Sequence, residues 1–419
     1  MRYIFRMAWR NLTRSRARTI LSLGAVALGV MVVIMFKGFE DGMINMFLNN
    51  SIKLNSGHVR VIHQEYRKKE RLLSLAYPVD GFNHEGYKAM TGEFGKIPGV
   101  KQVFGRIRFG ALVSKGEKNE GVMGIGVEPA AEEAEAQLNR YIDQGRFVQE
   151  GQKEIVLGIN LLEKLRIKVG DRVTILANDS FGSLRMATYT VVGRLNSGLR
   201  FLDEGVAYIP IDRAQALLGL QDSATEILIY GKNETSAAQL QKSVEQILRE
   251  KSPGQDYLAI PWYSHNTMIA YINNTKAALY IIYGFVVLLA CFVVLNTFIM
   301  IVNERKREIG MLGAMGFTRK EVQLLFLVEA GAVGLLGSLA GMGIGSLLNW
   351  WLSFTGMDLS AYTKAMGKEF LFFPKLYPEL SWFTSFFAFF LGWSVTILAG
   401  VIPARRAAKI EPTQALKSI

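Results

Sequence analysis

The stretch Asn303–Val322, NERKREIGMLGAMGFTRKEV, is charged at both ends and lies between two long apolar runs. The runs are Ala277–Val302 before it and Gln323–Leu352 after it. At about 1.5 Å of rise per residue, each run is long enough to cross a hydrocarbon core of about 30 Å as a helix. Because the stretch carries five basic residues, it must lie at a membrane surface rather than in lipid. We therefore expect an exposed, partly helical segment that passes any displacement to two membrane helices.

Two further apolar runs, Ile20–Phe36 and Trp382–Ile402, bring the predicted spans to four. Residues 1–18, 303–321 and 403–419 together carry 15 basic and 4 acidic residues, a balance of +11 out of the +12 of the whole chain. Alternating spans place these three segments on one side, and an excess of Lys and Arg marks the cytoplasmic side. A nucleic-acid-binding protein would gather its basic residues on a soluble face, so no nucleic-acid partner is expected. The chain is predicted to be a multi-pass protein of the cell inner membrane.

Residues 42–276 resemble an ordinary folded domain, with balanced charge and no run of membrane length. Apolar side chains at helical spacing predict helices at 84–96 and 236–250. Alternating patterns predict strands at 57–63, 110–114, 154–157, 171–176, 189–192 and 226–230. The predicted fold class is an α-helical membrane protein with four transmembrane helices and a large α+β extracytoplasmic domain.

The predicted boundaries follow from these runs. The four transmembrane helices are predicted at 19–41, 277–302, 323–353 and 382–402. On the cytoplasmic side we expect an amphipathic helix at 1–18, the coupling segment at 303–322 and a tail at 403–419. On the outer side we expect the extracytoplasmic domain at 42–276, with a β-rich insert at about 140–222, and a loop at 354–381.

The amino-terminal 18 residues favour an amphipathic helix along the inner membrane surface. Arg2, Arg6, Arg10 and Arg14 recur every four residues and therefore share one face. A signal peptide is the alternative, but no small-x-small cleavage pattern follows the first apolar run. We expect an uncleaved first membrane helix.

No motif in the sequence predicts catalysis. The chain has no GxxxxGK[ST] phosphate loop and no GxSxG elbow, and its four histidines lack the spacing of zinc ligands. We expect no catalytic residue, no metal site and no cofactor. Gly337, Gly341 and Gly345 recur every four residues in an apolar run, a spacing that lets another helix approach the backbone closely.

Glu329 is the one acidic residue well inside an apolar run. A carboxylate at the bilayer centre costs about 3 kcal/mol on insertion scales, so it needs a partner or a wet environment. Two roles remain open from the sequence: an ion pair with a cytoplasmic Arg, or a functional intramembrane acid.

Three patches of sequence resemble one known family, the MacB/FtsX-class permeases of ABC transporters, of the lipoprotein-releasing LolC/LolE type. AWRNLTRSRARTILSLGAVALGV at 8–30 looks like its entry helix and first membrane helix, ERKREIGMLGAMGFTRKEV at 304–322 like its ATPase-coupling segment, and PARRAAKIEPTQAL at 403–416 like its closing motif. In the outer domain, SGHVRVIHQEY, EIVLGINLLEKLRIKVGDRVTIL and QALLGLQDSATEILI are similar to the lipoprotein-release branch.

The resemblance implies a non-catalytic subunit whose ATPase is a separate dimer of partner chains. It also implies a second permease subunit, either identical or different, a lipoprotein substrate and a periplasmic carrier. Carried over by position, the ATPase-coupling residues are Glu304, Arg307, Glu308, Gly313 and Gly316.

The same resemblance places the substrate beside the first membrane helix, which predicts a cavity formed by Met31, Met35 and Lys37. Plain helix packing and an interfacial lysine are the alternatives for these residues. The carrier-docking hairpin of the family corresponds to a short turn at Asp179–Met186. This chain therefore lacks the docking role or uses another surface.

Two other functions share the predicted membrane layout. One is a signalling regulator of a cell-wall hydrolase, as in FtsX, and the other is a peptide or drug export permease, as in MacB. The identity of a bound partner would separate them.

Overall fold

The structure, a computed structural model, describes residues 2–14, 16–197, 200–232, 237–264, 266–358 and 375–410. It divides into two compact units. One, the membrane unit, contains the chain up to Met46, Ala270–Asp358 and the residues from Lys375 onward. The other, the α/β unit, contains Phe47–Ile269.

The membrane unit is built from long helices. Their bounds are α1 Arg2–Arg14, α2 Arg16–Ser51, α10 Asn266–Glu304, α11 Lys306–Ala314, α12 Arg319–Thr355 and α13 Trp382–Ala407. Among the described residues, α2, α10, α12 and α13 each include a segment long and apolar enough to cross a membrane. These helices coincide with the four apolar runs of the sequence.

All four membrane helices are longer than the apolar runs that predict them, and α2 and α10 extend furthest. Helix α2 continues past residue 41 and ends in a π-helical turn, Ile52–Ser56, which Gly57 terminates at a φ of 61°. Helix α10 already begins at Asn266, well before the predicted start at 277. The apolar pattern defines only the lipid-crossing part of a helix, so it does not predict polar extensions at the helix ends.

Helix α12 packs closely on α2 through the three predicted glycines. A Cβ atom at Gly337 would lie 2.9 Å from Cβ of Val26, and one at Gly341 would overlap the carbonyl oxygen of Ala27. A Cβ atom at Gly345 would lie 3.2 Å from Cα of Met31. The missing side chains thus allow the two helix backbones to approach each other.

On its other side α12 packs on α13. The indole Nε1 of Trp393 donates to the carbonyl oxygen of Gly331 at 3.0 Å, and the hydroxyls of Ser346 and Ser385 lie 2.9 Å apart. Helix α13 continues to Ala407 with Pro403 inside it, five residues beyond the end of the apolar run at 402.

Ten strands among the described residues of the α/β unit form one twisted sheet. Their bounds are β1 Val59–His63, β2 Val100–Lys115, β3 Lys118–Val127, β4 Ile142–Gly145, β5 Glu154–Gly158, β6 Arg172–Asn178, β7 Leu184–Leu195, β8 Val206–Pro210, β9 Glu226–Gly231 and β10 Tyr257–Pro261. The order is β10-β1-β9-β2-β3-β8-β5-β7-β4, and β6 pairs with β2 and β7. The strands of the predicted β-rich insert therefore belong to the same sheet as the rest.

Helices cover both faces of this sheet. Their bounds are α3 Gln64–Lys68, α4 Tyr87–Phe94, α5 Pro129–Ala136, α6 Ile159–Leu165, α7 Arg200–Gly205, α8 Ile211–Leu218 and α9 Ala237–Lys251. Ile155 and Leu157 of β5 join the core that contains α4, α6, α8 and α9, whereas Val156 joins the core that contains α5 and α7. Alternate side chains of one strand thus supply two cores.

Candidate functional site: the coupling segment

The coupling segment, Asn303–Val322, turns the chain sharply at two places. Helix α10 ends at Glu304, and Arg305 leaves the helical conformation with φ −90° and ψ 14° before α11 begins. After α11, Gly316 adopts a φ of 93°, which residues with a side chain rarely tolerate. Thr318 is the N-cap of α12, which begins at Arg319. The segment is therefore a short helix between two fixed corners.

A capping box fixes the second corner. The hydroxyl of Thr318 accepts from the backbone N–H of Glu321 at 3.3 Å, and the Glu321 carboxylate accepts from the Thr318 N–H at 2.9 Å. This reciprocal pair satisfies two of the free donors at the start of a helix. The hydroxyl of Tyr3 in α1 donates to the same carboxylate at 2.7 Å. The amino-terminal helix therefore contacts the start of α12 directly.

An ion pair fixes the first corner. The Arg305 guanidinium lies 3.1 Å from Oε1 of Glu329, and it also donates to the carbonyl oxygen of Asn11 at 3.2 Å. The Asn11 amide donates to the same Glu329 oxygen. The Glu329 side chain is 3% exposed and that of Arg305 is 15% exposed. Of the two roles left open for Glu329, the structure shows the ion pair with an Arg of the predicted cytoplasmic segment.

The inner face of α11 is buried against α12 and α13. Ile309 is 4% exposed and belongs to an apolar cluster with Val322 and Phe326 of α12 and Ala404 of α13. Leu312 packs in a neighbouring cluster with Ala8 of α1 and Leu325 of α12. Helix α11 is thus held by three helices at once.

The opposite face of α11 is exposed and chemically mixed. Met311 and Met315, one turn apart, are 49% and 70% exposed. The exposed basic residues of the same segment are Lys306, Arg307, Arg319 and Lys320. Exposed methionines rimmed by charges are typical of an adaptable protein-binding surface. The sequence did not indicate that these two methionines are exposed, because the spacing of apolar residues does not show which of them packing leaves on the surface.

The predicted coupling residues lie on this segment in different settings. Glu304 and Arg307 are exposed, and Gly313 is half-buried. Glu308 forms an ion pair of 2.9 Å with Arg14 of α1, and the side chains of Arg14 and Glu308 are 73% and 39% exposed. The structure therefore brings Glu308 to the amino-terminal helix.

The predicted cavity residues all lie on α2. Met31 and Met35 are half-buried, and Lys37 lies 2.6 Å from Asp41 and 3.3 Å from the buried Glu40. A small apolar crevice of about 30 Å³ lies between α2, α10 and α13, and α2 lines it with Val26, Gly29, Val30 and Val33. Lys37 is already paired with two carboxylates on its own helix.

The predicted hairpin turn joins β6 to β7 and is short. Asp179 accepts hydrogen bonds from the backbone N–H groups of Phe181 and Ser183 at 3.0 and 2.8 Å, which fixes the turn. Phe181, Leu184 and Met186 are 82%, 64% and 69% exposed. The hairpin thus ends in an exposed apolar tip.

Two family models match the chain. The model of the MacB-like periplasmic core domain matches residues 19–247, more than half of the chain, and that of the FtsX-like permease C-terminal region matches residues 280–412. The chain belongs to the MacB/FtsX-class permeases of ABC transporters. It is a multi-pass membrane permease subunit with a MacB-like outer domain.

Relatives of known name span most of the chain. The lipoprotein-releasing system transmembrane protein LolE of Haemophilus influenzae is 27% identical over 77% of this chain and 78% of its own length. The corresponding LolC of Neisseria meningitidis is 23% identical over 98% of both chains. The macrolide export ATP-binding/permease protein MacB 2 of Aeromonas hydrophila is 22% identical over 98% of this chain and 60% of its own length.

Proposed function

We propose that this chain is a permease subunit that releases lipoproteins from the outer leaflet of the inner membrane, with ATP hydrolysed by a separate partner chain. The observation that supports the lipoprotein substrate is the end-to-end match to LolC, whose name states this system and whose length is matched over 98%. In the MacB relative, by contrast, the match covers 60% of a protein whose name includes an ATP-binding part.

The geometry of the coupling segment supports a mechanical role in this function. Its exposed methionine face offers the partner ATPase a docking surface, while its buried face is packed on α1, α12 and α13. Close-packed interfaces transmit strain rather than absorb it. Helix α11 joins the end of α10 to the start of α12. A displacement of α11 by the ATPase would therefore move both of these helices.

A charge swap separates two roles of Glu308. We expect Glu308→Arg to uncouple ATPase activity from transport in the complex reconstituted with its ATPase. If Glu308 acts only by pairing with Arg14, the double variant Arg14→Glu/Glu308→Arg restores coupling; if it contacts the ATPase, the double variant stays uncoupled. Full coupling in the Glu308→Arg variant would contradict both roles.

Substitution of the exposed methionines tests the proposed docking surface directly. We expect Met311→Glu and Met315→Glu to lower the amount of ATPase that co-purifies with the permease, because each places a charge in an apolar contact. Met311→Leu and Met315→Leu, which keep both side chains apolar, provide the matched control and should bind the ATPase as the wild type does. ATPase binding by the Glu variants equal to that of the Leu variants would exclude α11 as the docking surface.

The substrate proposal is tested in cells that synthesise labelled lipoproteins. Photo-crosslinking side chains at Met31 and Met35 should capture lipidated protein, whereas one at the buried Ile34 should not. Depletion of the protein should leave lipoproteins in the inner membrane. If nothing lipidated is captured and lipoproteins leave the membrane at normal rates on depletion, the lipoprotein assignment is wrong.

Identification of the proteins that co-purify with the detergent-solubilised complex separates the alternative functions. Capture of a cell-wall hydrolase would favour the FtsX-like regulator, and capture of a peptide or drug would favour the MacB-like exporter. The permease model that matches residues 280–412 is shared by these classes, so membrane architecture alone does not separate them.

A further inference from the structure

A basic cleft in the α/β unit lies outside the coupling segment and outside the predicted substrate cavity. Its volume is about 670 Å³, within the usual size range of ligand sites. Six cationic side chains line it and Glu70 is the one acidic residue among its lining residues. The cationic residues are Arg60, Arg67, Lys68, Lys69, Arg71 and Arg108.

Two buried arginines form the floor of the cleft. Arg60 is 2% and Arg108 is 7% exposed, and both contact the fully buried Glu226, at 3.0 and 2.7 Å. Burial opposes the charge of Arg60, but Glu226 and Glu70 keep its pKa above the ordinary value. Both guanidinium groups are therefore held in one position, and the carboxylates of Glu226 and Glu70 balance their charge.

The outer wall is a short segment that follows β1. His63 caps α3 by accepting from the backbone N–H of Glu65 at 3.1 Å. Lys68 pairs with Glu65, and Lys69 lies over the ring of Tyr77. Among the described residues, neither Arg67 nor Arg71 contacts a carboxylate. The outer wall thus presents two guanidinium groups free to bind a ligand.

The cleft also has apolar lining. Leu72 is 77% exposed, and Leu73 adopts a left-handed conformation with a φ of 50°. Met123 and Ile260 complete the apolar lining. A small inorganic anion would not contact these apolar side chains. An anionic amphiphile would contact both the basic and the apolar residues of the cleft.

The cleft connects through the chain to two membrane helices. Arg108 donates to the carbonyl oxygen of Asn55, in the last turn of the helix that carries the first candidate span. Ser264 lines the cleft and stands two residues before α10 begins. One lining residue is thus hydrogen-bonded to the end of the first helix, and another precedes α10 in the sequence.

We propose that this cleft binds the phosphate head group of an anionic phospholipid. The guanidinium groups of Arg67 and Arg71 bind the phosphate oxygens, since arginine offers paired donors that match phosphate geometry. Leu72 and Leu73 contact the glycerol and the first carbons of the acyl chains. This site is independent of the lipoprotein assignment.

The test uses the full chain in nanodiscs of phosphatidylcholine, with and without a minor share of phosphatidylglycerol. Hydrogen–deuterium exchange of residues 64–73 is the readout, because it reports on the outer wall itself. We expect phosphatidylglycerol to slow this exchange, whereas phosphatidylcholine alone, or with added inorganic phosphate, does not. In Arg67→Gln/Arg71→Gln the phosphatidylglycerol fraction that gives half protection should rise about tenfold.

A matched control uses exposed arginines elsewhere in the unit, Arg140→Gln/Arg249→Gln, and should behave as the wild type. Since all four arginines are exposed, neither double variant is expected to unfold the protein, and its melting curve checks this. The proposal is overturned if inorganic phosphate protects as well as the lipid, if the two lipids protect equally, or if Arg67→Gln/Arg71→Gln leaves the protection unchanged.

Discussion

The buried ion pair between Arg305 and Glu329 allows a quantitative test of how the coupling segment is held. The perturbation is a double-mutant cycle: Arg305→Leu, Glu329→Leu and the two together. Each single change removes one charge and leaves the other in a mostly buried site, because the two side chains are 15% and 3% exposed.

The expected magnitudes differ between the two single variants. Breaking a buried pair by removal of one partner costs about 3–5 kcal/mol, and we expect Arg305→Leu at the lower end, near about 3 kcal/mol. It leaves the Glu329 carboxylate with the Asn11 amide as its one donor among the described contacts. Glu329→Leu should cost less, about 1–2 kcal/mol, since Arg305 is nearer to solvent and can reach water. The double variant replaces the pair by apolar groups and should be close to the wild type.

The assay is thermal unfolding of the detergent-solubilised protein, followed by fluorescence-detected size exclusion. Arg319→Leu provides the control, because it removes an exposed Arg of the same segment and should leave the melting temperature unchanged. The order of melting temperatures should be Arg305→Leu lowest, then Glu329→Leu, with the double variant above both.

The reasoning is refuted if the effects of the two single variants simply add in the double variant. Additivity would mean that the two side chains do not stabilise each other. A double variant that keeps its melting temperature but loses coupled transport would instead show that the pair acts in the mechanism and not only in stability.

Three further outcomes follow from the packing. Gly341→Ala should lower the melting temperature because its Cβ would overlap the backbone of α2, whereas Gly343→Ala, with open space around it, should not; equal melting of the two would contradict the packing. Gly316→Val forces a β-branched residue to a φ of 93°, which costs at least about 1–2 kcal/mol of strain, and it should reduce coupled transport in the reconstituted complex. Normal transport would show that the turn at Gly316 is not needed for coupling. Arg106→Leu leaves the fully buried Glu132 without its ion-pair partner and should destabilise the protein by about 3–5 kcal/mol, measured by denaturant unfolding of its tyrosine and tryptophan signals; a loss below about 1 kcal/mol would contradict the buried pair.

The sequence was sufficient for the membrane helices because a bilayer imposes length and apolarity on each of them. Each of the six predicted strands overlaps an observed strand: 57–63 contains β1, and 226–230 lies within β9. The pattern did not predict β3, β4, β8 or β10. Strand β8 is a short run buried on both faces, which lacks the alternation that reveals a half-buried strand.

The coupling segment was predictable in place but not in its contacts. Charge and apolar flanks located it, since those features are local in sequence. Its anchors are not local: Arg305 meets Glu329 across 24 positions, and Tyr3 meets Glu321 across 318. Periodicity placed Arg6, Arg10 and Arg14 of α1 on an exposed face, and the structure has them exposed. Whether the other face meets lipid or protein depends on tertiary packing, and here Ala8 packs on Leu325.

Helix α12 is the element through which the other parts of the membrane unit are connected. Its first turn is held by the Thr318 cap and by Tyr3, and its third turn receives Arg305 through Glu329. Further along, Gly341 admits the backbone of α2, and Gly331 accepts from α13. A helix held on three sides by direct backbone contacts and an ion pair cannot bend locally without a loss of packing on each side. A movement of α11 is therefore expected to shift α12 as a rigid body. The shift is passed on to α2 where the glycines of α12 contact it.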